Sequence, residues 1–211
     1  MTNTVPPTSR RPYNSPTREA QADGTKRAIL KAARSVFSAS GYAGATIEAV
    51  ALAARVSVPT VYAVFGSKPG LLSALVADAG SDSRIRRLAA RAMSEQEPRR
   101  RLAAVAKVVR TIMQEEASLL KFLSEAGTGR PELEAAKRQV HIQQRNALTS
   151  ALRLLTETKS LRAGIGFEEA VATLCDLASP ESYSLLVDEF GWSAARWERW
   201  LSDSAVRLLI D

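Results

Sequence analysis

Apolar residues return at helical spacing through most of the chain, and the stripes they draw predict a succession of helices. Ile29, Ala32, Ala33, Val36 and Phe37 form the first stripe, which Gly41 closes, and Tyr42 opens a short loop containing Gly44. Thr46, a good N-cap residue, precedes Ile47, Val50, Ala51 and Ala54, which mark a short second helix. After a break at Arg55 and Val56, Ser57 caps a third helix beginning Val58-Pro59. Proline sits there in the first turn, where its missing N–H costs nothing. The helix runs to Phe65, and Gly66 ends it. Ser67-Lys68-Pro69 repeats the cap-then-proline signature and opens a fourth helix, predicted to continue through Leu71, Leu72, Leu75 and Val76 toward Arg91.

The pattern breaks between Glu95 and Pro98. Further helices are predicted at residues 98–116, 117–127, 131–158, 167–178, 180–189 and 193–209. Pro131 and Pro180 stand at helix starts, and Gly127, Gly129, Gly164, Gly166 and Gly191 mark breaks. No stretch alternates apolar and polar residues as a strand would, and no solenoid repeat stands out. The expected fold class is all-α. Residues 1–22, with Pro6, Pro7, Pro12 and Pro16 among polar residues, lack an apolar face and are expected to form a mobile arm made basic by Arg10, Arg11 and Arg18. Order is expected from Asp23 or Thr25. The chain then divides into a helix-turn-helix domain at 23–70, with its motif at 46–65, and a larger helical domain at 71–211.

Composition narrows the function classes. With 45% hydrophobic and 24% charged residues, the chain suits a globular protein. No apolar run reaches a membrane span, and the polar, Pro-rich start shows no secretory signal, so a cytoplasmic protein is expected. One cysteine, Cys175, and one histidine, His141, exclude an intramolecular disulfide and a metal cluster of nitrogen and sulfur ligands. Cys175 is expected as a buried small hydrophobe. Glu115 and Glu116 are neighbours that point apart on a helix and make no acid–base pair. No catalytic residue, metal or cofactor is expected, and the chain does not read as an enzyme.

Charge is uneven. Residues 1–70 hold nine Lys and Arg against three Asp and Glu, residues 71–162 hold seventeen against ten, and residues 163–211 hold three against nine. A basic front and an acidic end suit a front that meets a polyanion. The two short helices at 46–65 supply the means. Ala51 and Ala54 allow close approach, Val56 and Val61 plug the angle between the helices, and Val58, Thr60 and Tyr62 are available to face bases. The helix N-termini offer free N–H groups to phosphate oxygens.

Lys26 to Val76 resembles the amino-terminal domain of TetR-family regulators. The matching residues are Ile29-Leu30, Ala32-Ala33, Phe37, Gly41-Tyr42, Thr46-Ile47, Ala53-Ala54-Arg55-Val56-Ser57, Thr60-Val61-Tyr62, Phe65, Ser67-Lys68 and Leu71-Leu72. The resemblance implies that Thr46 bonds a backbone phosphate and that Ser57 caps the recognition helix. It implies that Pro59 and Thr60 face the DNA, that Tyr62 lies against the backbone or a base, and that Lys68 pairs with a phosphate, while Phe65 is core. Two positions depart from the family pattern. Arg55 stands where glycine is frequent, and is expected either to turn with negative φ or to reach a phosphate. Val64 replaces a frequent His or Tyr, which removes a polar contact.

The resemblance also implies a second domain that dimerises and binds a small molecule. Its likeness weakens after residue 80, but Pro180 to Trp192 and Trp197 to Leu201 look like the final helices of family members, which form a four-helix interface. Leu174, Leu177, Leu185, Leu186, Trp197, Trp200, Leu201 and Leu208 are the interface candidates, with intrachain core as their plainer role. Met113, Phe122, Leu123, Val140, Leu148, Leu152 and Leu174 are pocket candidates. His141 and Arg145, on one helical face with Lys137, are polar pocket candidates whose plainer place is the surface. The implied function is a homodimeric, sequence-specific DNA-binding regulator on a near-palindromic operator, a repressor released by a small-molecule effector. A nonspecific DNA-binding protein without ligand control and an activator are the alternatives.

Overall fold

The computed structural model describes residues 16–117, 119–120, 123 and 130–210. They form α1 (Pro16–Gly44), α2 (Ile47–Ala54), α3 (Val58–Phe65), α4 (Lys68–Asp78), α5 (Ser83–Ser94) and α6 (Pro98–Glu115). After these come α7 (Pro131–Glu157), α8 (Phe167–Leu177), the single turn α9 (Pro180–Tyr183), a π-helical segment (Ser184–Glu189) and α10 (Ala194–Leu209). The only β pairing among the described residues is an isolated bridge between Leu161 and Ile210. The fold is all-α, as the periodicity predicts.

Side-chain caps fix most of the helix starts. Thr46, Ser57 and Ser67 each accept a hydrogen bond from the backbone N–H three residues on, at 3.1, 3.2 and 3.1 Å. Each bond satisfies one of the donors a helix N-terminus leaves unpaired. Asp82, Glu97, Ser179 and Ser193 do the same for α5, α6, α9 and α10.

Three boundaries differ from expectation. The first helix starts at Pro16 instead of near Asp23. Glu19, Ala20, Gln21 and Ala22 are good helix formers, so propensity extends the helix where no apolar stripe exists. The fourth helix ends at Asp78 and does not run to Arg91. Gly80 turns there with φ +77°, a conformation that suits glycine, and Asp82 restarts the chain as α5. Residues 180–189 form one α-turn and then a π-helix, in which the Phe190 N–H reaches the Leu185 carbonyl at 3.0 Å. Of the helix predicted at 117–127, only residues 117, 119, 120 and 123 are described, and they are helical.

Two apolar cores result. The first joins Ile29, Ala33 and Phe37 of α1 to Val50 and Ala51 of α2, Val61 of α3 and Leu71, Leu72, Leu75 and Val76 of α4. It also takes in Leu123, Leu133 and Ala136, so the head is seated on the rest of the chain through shared apolar packing. The second core joins α5, α6, α7, α8 and α10 around Leu102, Leu152, Leu174, Trp197 and Leu201. The boundary expected between residues 70 and 71 therefore falls inside α4, whose apolar face belongs to the head. Arg101, buried in the second core, donates to the carbonyls of Met93 (2.5 Å) and Glu95 (3.0 Å), tying α6 to the end of α5.

One close approach sets the angle between α3 and α4. A Cβ placed on Gly70 would lie 2.2 Å from the Phe65 carbonyl oxygen, a backbone atom that cannot swing aside. Gly70→Ala is therefore expected to lower stability by about 1–3 kcal/mol, the usual range for overpacking. Denaturant unfolding of the full chain measures it, and an unchanged midpoint would show that the α3–α4 turn yields freely.

Candidate nucleic-acid interface and effector cavity

α2 and α3 meet at a bend of 105°, within the range of helix-turn-helix pairs. Their inner faces are Ile47, Val50 and Ala51 on α2 and Val61 on α3. Ala54, Val56, Val58 and Phe65 close the angle as partly buried residues packed on the same core. At the turn Arg55 has φ 58° and ψ 41°, left-handed backbone. Its N–H donates to the Leu52 carbonyl at 3.1 Å, and the Val56 N–H to the Ala51 carbonyl at 3.0 Å. That satisfies two carbonyls at the helix end. Of the two expectations for Arg55, negative φ is not realised. A non-glycine residue holds this conformation at a cost of about 1 kcal/mol or more, and its side chain stands exposed.

Thr46, at the start of α2, is exposed, as are Ser57, Pro59 and Tyr62 at the start of and within α3, where Thr60 is half-buried. Tyr62 is 47% and Val64 41% exposed. Ser57 Oγ and Thr60 Oγ1 lie 2.7 Å apart. Val58 corrects the expected alternation, because it leans toward the core instead of standing free for bases. From Val58 to Phe65 there is no charged or amide side chain. The outward face of α3 thus presents hydroxyls and hydrocarbon.

Lys68, the first residue of α4, does not wave free in solvent. Its Nζ lies 4.4 Å from the centroid of the Tyr42 ring, a cation–π geometry. That ring is itself buried and stacked on Phe37 at 5.8 Å. The Arg130 guanidinium lies 6.0 Å from the same ring. Burial pushes the Lys68 pKa down from the ordinary lysine value; Arg130 adds to this and Glu132 opposes it. Burial likewise pushes the Tyr42 hydroxyl up, with Glu132 reinforcing and Arg130 countering. Sequence reasoning missed Arg130, and no local signal could have found it, since only folding brings α7 to the base of α4.

The second half of the chain encloses a cavity of about 450 Å³ between α5, α6, α7 and the residues that follow α4. Met113, Val140 and Leu148 line it as expected. Leu123, Leu152 and Leu174 are buried core and do not. His141 and Arg145 are exposed on the outer face of α7, where Arg145 pairs with Glu168 at 3.0 Å. They are not pocket residues, because they stand on the solvent face of α7, while Val140, Gln144 and Leu148 turn the other face to the cavity. Phe122 lies outside the described residues. Gln144 lines the cavity too, and its side-chain NH2 donates to the Ala178 carbonyl at 2.7 Å. Cys175 is half-buried, and burial raises its thiol pKa.

The cavity wall also holds Glu116, 4% exposed and paired with Arg34 of α1. The same guanidinium lies 3.5 Å from Asp78 at the end of α4. Neither end of this bridge is visible in local sequence, because its partners are 82 residues apart.

Interface candidates divide by burial. Leu174, Trp197 and Leu201 are at most 2% exposed and packed within the chain, leaving no surface for a partner. Leu177, Leu186 and Trp200 are half-buried against the second core. Leu185 and Leu208 are exposed, as is Phe190 at 67%. Among the described residues no group of His, Cys, Asp and Glu is arranged to hold a metal, and no single helix is long and apolar enough to cross a membrane.

The head is thus a helix-turn-helix domain, carried on an all-helical body with its own cavity. Residues 29–75 match the family model for bacterial regulatory proteins of the tetR family. The head is therefore similar to the amino-terminal domain of that family. No curated protein gives a significant match. Solved structures share the fold over nearly their whole length. FadR from Bacillus subtilis, solved with stearoyl-CoA, is 16% identical with a TM-score of 0.72, covering 86% of this chain and 98% of its own. NalD, the secondary repressor of the MexAB-OprM multidrug efflux pump in Pseudomonas aeruginosa, is 21% identical with a TM-score of 0.67, covering 90% and 98%. The fatty acid degradation regulator FadR from Bacillus halodurans is 15% identical with a TM-score of 0.71, covering 86% and 94%.

Arg55→Gly separates strain from DNA contact. Relief of the left-handed backbone, less the added freedom of the unfolded chain, is expected to raise stability by about 0.5–1 kcal/mol. Loss of the exposed guanidinium is expected to lower the salt dependence of DNA binding by about one charge. Denaturant unfolding and DNA titrations at several salt concentrations measure the two effects.

Proposed function

We propose that this protein is a sequence-specific transcriptional repressor that binds a near-palindromic operator as a homodimer and leaves it when a small molecule fills the cavity in its second half. The observation that carries the reading is the helix-turn-helix, bent by 105° and matched to the tetR family, with the outward face of α3 exposed at Pro59 and Tyr62. Thr46 and Lys68, each at the first turn of a helix, flank that face and serve the phosphates, where N-terminal N–H groups add their own pull on anions. Arg55 and Ser57 contact the backbone from the turn. The site acts on DNA and so belongs to the cytoplasm, with no catalytic step, metal or cofactor required.

The chemistry of α3 narrows what it reads. Bidentate recognition of guanine or adenine needs Arg, Lys, Asn or Gln, and α3 has none of them. Its exposed Pro59, Tyr62, Ala63 and Val64 offer apolar contact to thymine methyl groups, and Ser57, Thr60 and Tyr62 offer single hydroxyl hydrogen bonds. Half-sites rich in thymine follow. Dimerisation through the final helices would use Leu185, Phe190 and Leu208, with Leu177, Leu186 and Trp200 at the margin. The stearoyl-CoA complex of the Bacillus subtilis protein supports a small-molecule effector.

The test is selection from pooled genomic fragments at about 150 mM salt, where nonspecific phosphate binding is weak. Enrichment of a few fragments sharing a thymine-rich inverted repeat is expected, whereas uniform retention would mean a nonspecific DNA-binding protein. On an enriched fragment, Tyr62→Ala is expected to weaken binding by about 1–3 kcal/mol and Lys68→Ala to reduce the salt slope by about one. Neither should change the sedimentation of the dimer. Unchanged affinity in both variants would remove these residues from the interface.

A further inference from the structure

Glu116 is the one ionisable side chain in the described wall of the cavity. Around it the surface is hydrocarbon: Ile85, Met93, Val109, Met113 and Leu148 are representative. A carboxylate so placed has lost most of its water and needs a cation to offset that loss. Here the cation is Arg34 of the head. The two partners are unequally committed. Glu116 is 5% exposed at its side chain, while Arg34 is 26% exposed and has Asp78 within 3.5 Å as a second carboxylate. Arg34 can therefore leave Glu116 for Asp78 and water at modest cost, but Glu116 cannot be left without a positive charge.

We propose that the cavity takes a lipophilic monocation, whose charged group replaces Arg34 at Glu116 and whose apolar body fills the space between α5, α6 and α7. The inference rests on the reading of this chain as a ligand-controlled DNA-binding regulator and names the chemistry of its effector. Burial of the apolar body drives the exchange. A neutral molecule of the same shape gains that burial but leaves the Arg34–Glu116 pair intact. An anionic one meets a like charge in a poorly solvated site. The exchange is also the signal. Arg34 is fixed between the fully buried Ala33 and the partly buried Val36 of α1, so its release from Glu116 removes a tie between the head and the end of α6. Asp78 ends α4, whose first turn carries Lys68, so the bridge stands one helix away from the DNA face.

Titration calorimetry of the full-length protein with decyltrimethylammonium, decanol and decanoate, each below its aggregation concentration, tests this. The three share a tail and differ in charge. The cation is expected to bind about tenfold tighter than the alcohol, and the carboxylate most weakly. Glu116→Gln is expected to abolish the preference for the cation while leaving alcohol binding unchanged. Arg34→Gln, which removes the competitor, is expected to tighten cation binding. Equal or tighter binding of the alcohol to the unaltered protein would overturn the proposal, as would a cation preference that survives in Glu116→Gln. DNA retention is measured separately on the ligand-free protein. Retention of operator fragments with a charge-blind cavity would defeat the cation site alone. Cation-selective binding without any DNA retention would defeat the regulator reading and leave the site standing.

Discussion

The contact between α3 and α4 ties the recognition helix to the helix whose far end runs to the cavity. The two helices meet so closely at Gly70 that no side chain fits between it and the Phe65 carbonyl. Leu71, Leu72, Leu75 and Val76 then lock α4 into the head with no exposed area. A fully buried leucine of this kind is worth about 2–5 kcal/mol against alanine. The head is thus a single packed unit, and α4 cannot tilt without carrying α3. The far end of α4 is held differently, by charge: Asp78 shares Arg34 with Glu116. Apolar packing makes the head rigid and, through Leu123, Leu133 and Ala136, seats it on the body, where the Arg34–Glu116 pair adds a polar tie.

This division explains which parts could be read in the sequence. The head was legible because its determinants are local. Thr46, Ser57 and Ser67 cap helices a few residues away, Pro59 and Pro69 sit in first turns, and the apolar stripes face one core. The exposure of Tyr62 followed from the same periodicity, and that of Pro59 from the family resemblance. Local signals failed where a conformation depends on a neighbour in space. A glycine with left-handed backbone at position 80 ended a stripe that periodicity alone carried on to Arg91. Val58 turned inward because the bend between α2 and α3 needs filling. In the body, an apolar stripe does not distinguish a residue lining a cavity from one filling a core, so Met113 and Leu148 were found together with Leu152 and Leu174, which pack solid. For the same reason Trp197 and Leu201, apolar and near the end of the chain, belong to the intrachain core and not to a surface. The Arg34–Glu116 bridge and Arg130 beneath Lys68 exist only once distant segments meet.

The electrostatic arrangement follows the same logic. Lys68 sits at a helix N-terminus, where the dipole opposes a positive charge, and the Tyr42 ring compensates by offering its π face. A cation retained there despite the dipole and despite burial suits the phosphate contact proposed for it. The recognition helix itself contributes no charge, so the proposed reading leaves affinity to the flanking cations and helix ends, and specificity to shape, hydroxyls and methyl contact.

The central claim is that the outward face of α3 reads half-sites by contact with thymine methyl groups, and uracil interference tests it most directly. Thymines in a selected fragment are replaced by uracil one position at a time, which deletes a single methyl and leaves base pairing and charge unchanged. The account predicts loss of affinity confined to two clusters of positions, separated by about 34–36 Å of helix or more, in keeping with one α3 from each subunit in successive major grooves. Unchanged binding at every substituted position would contradict it.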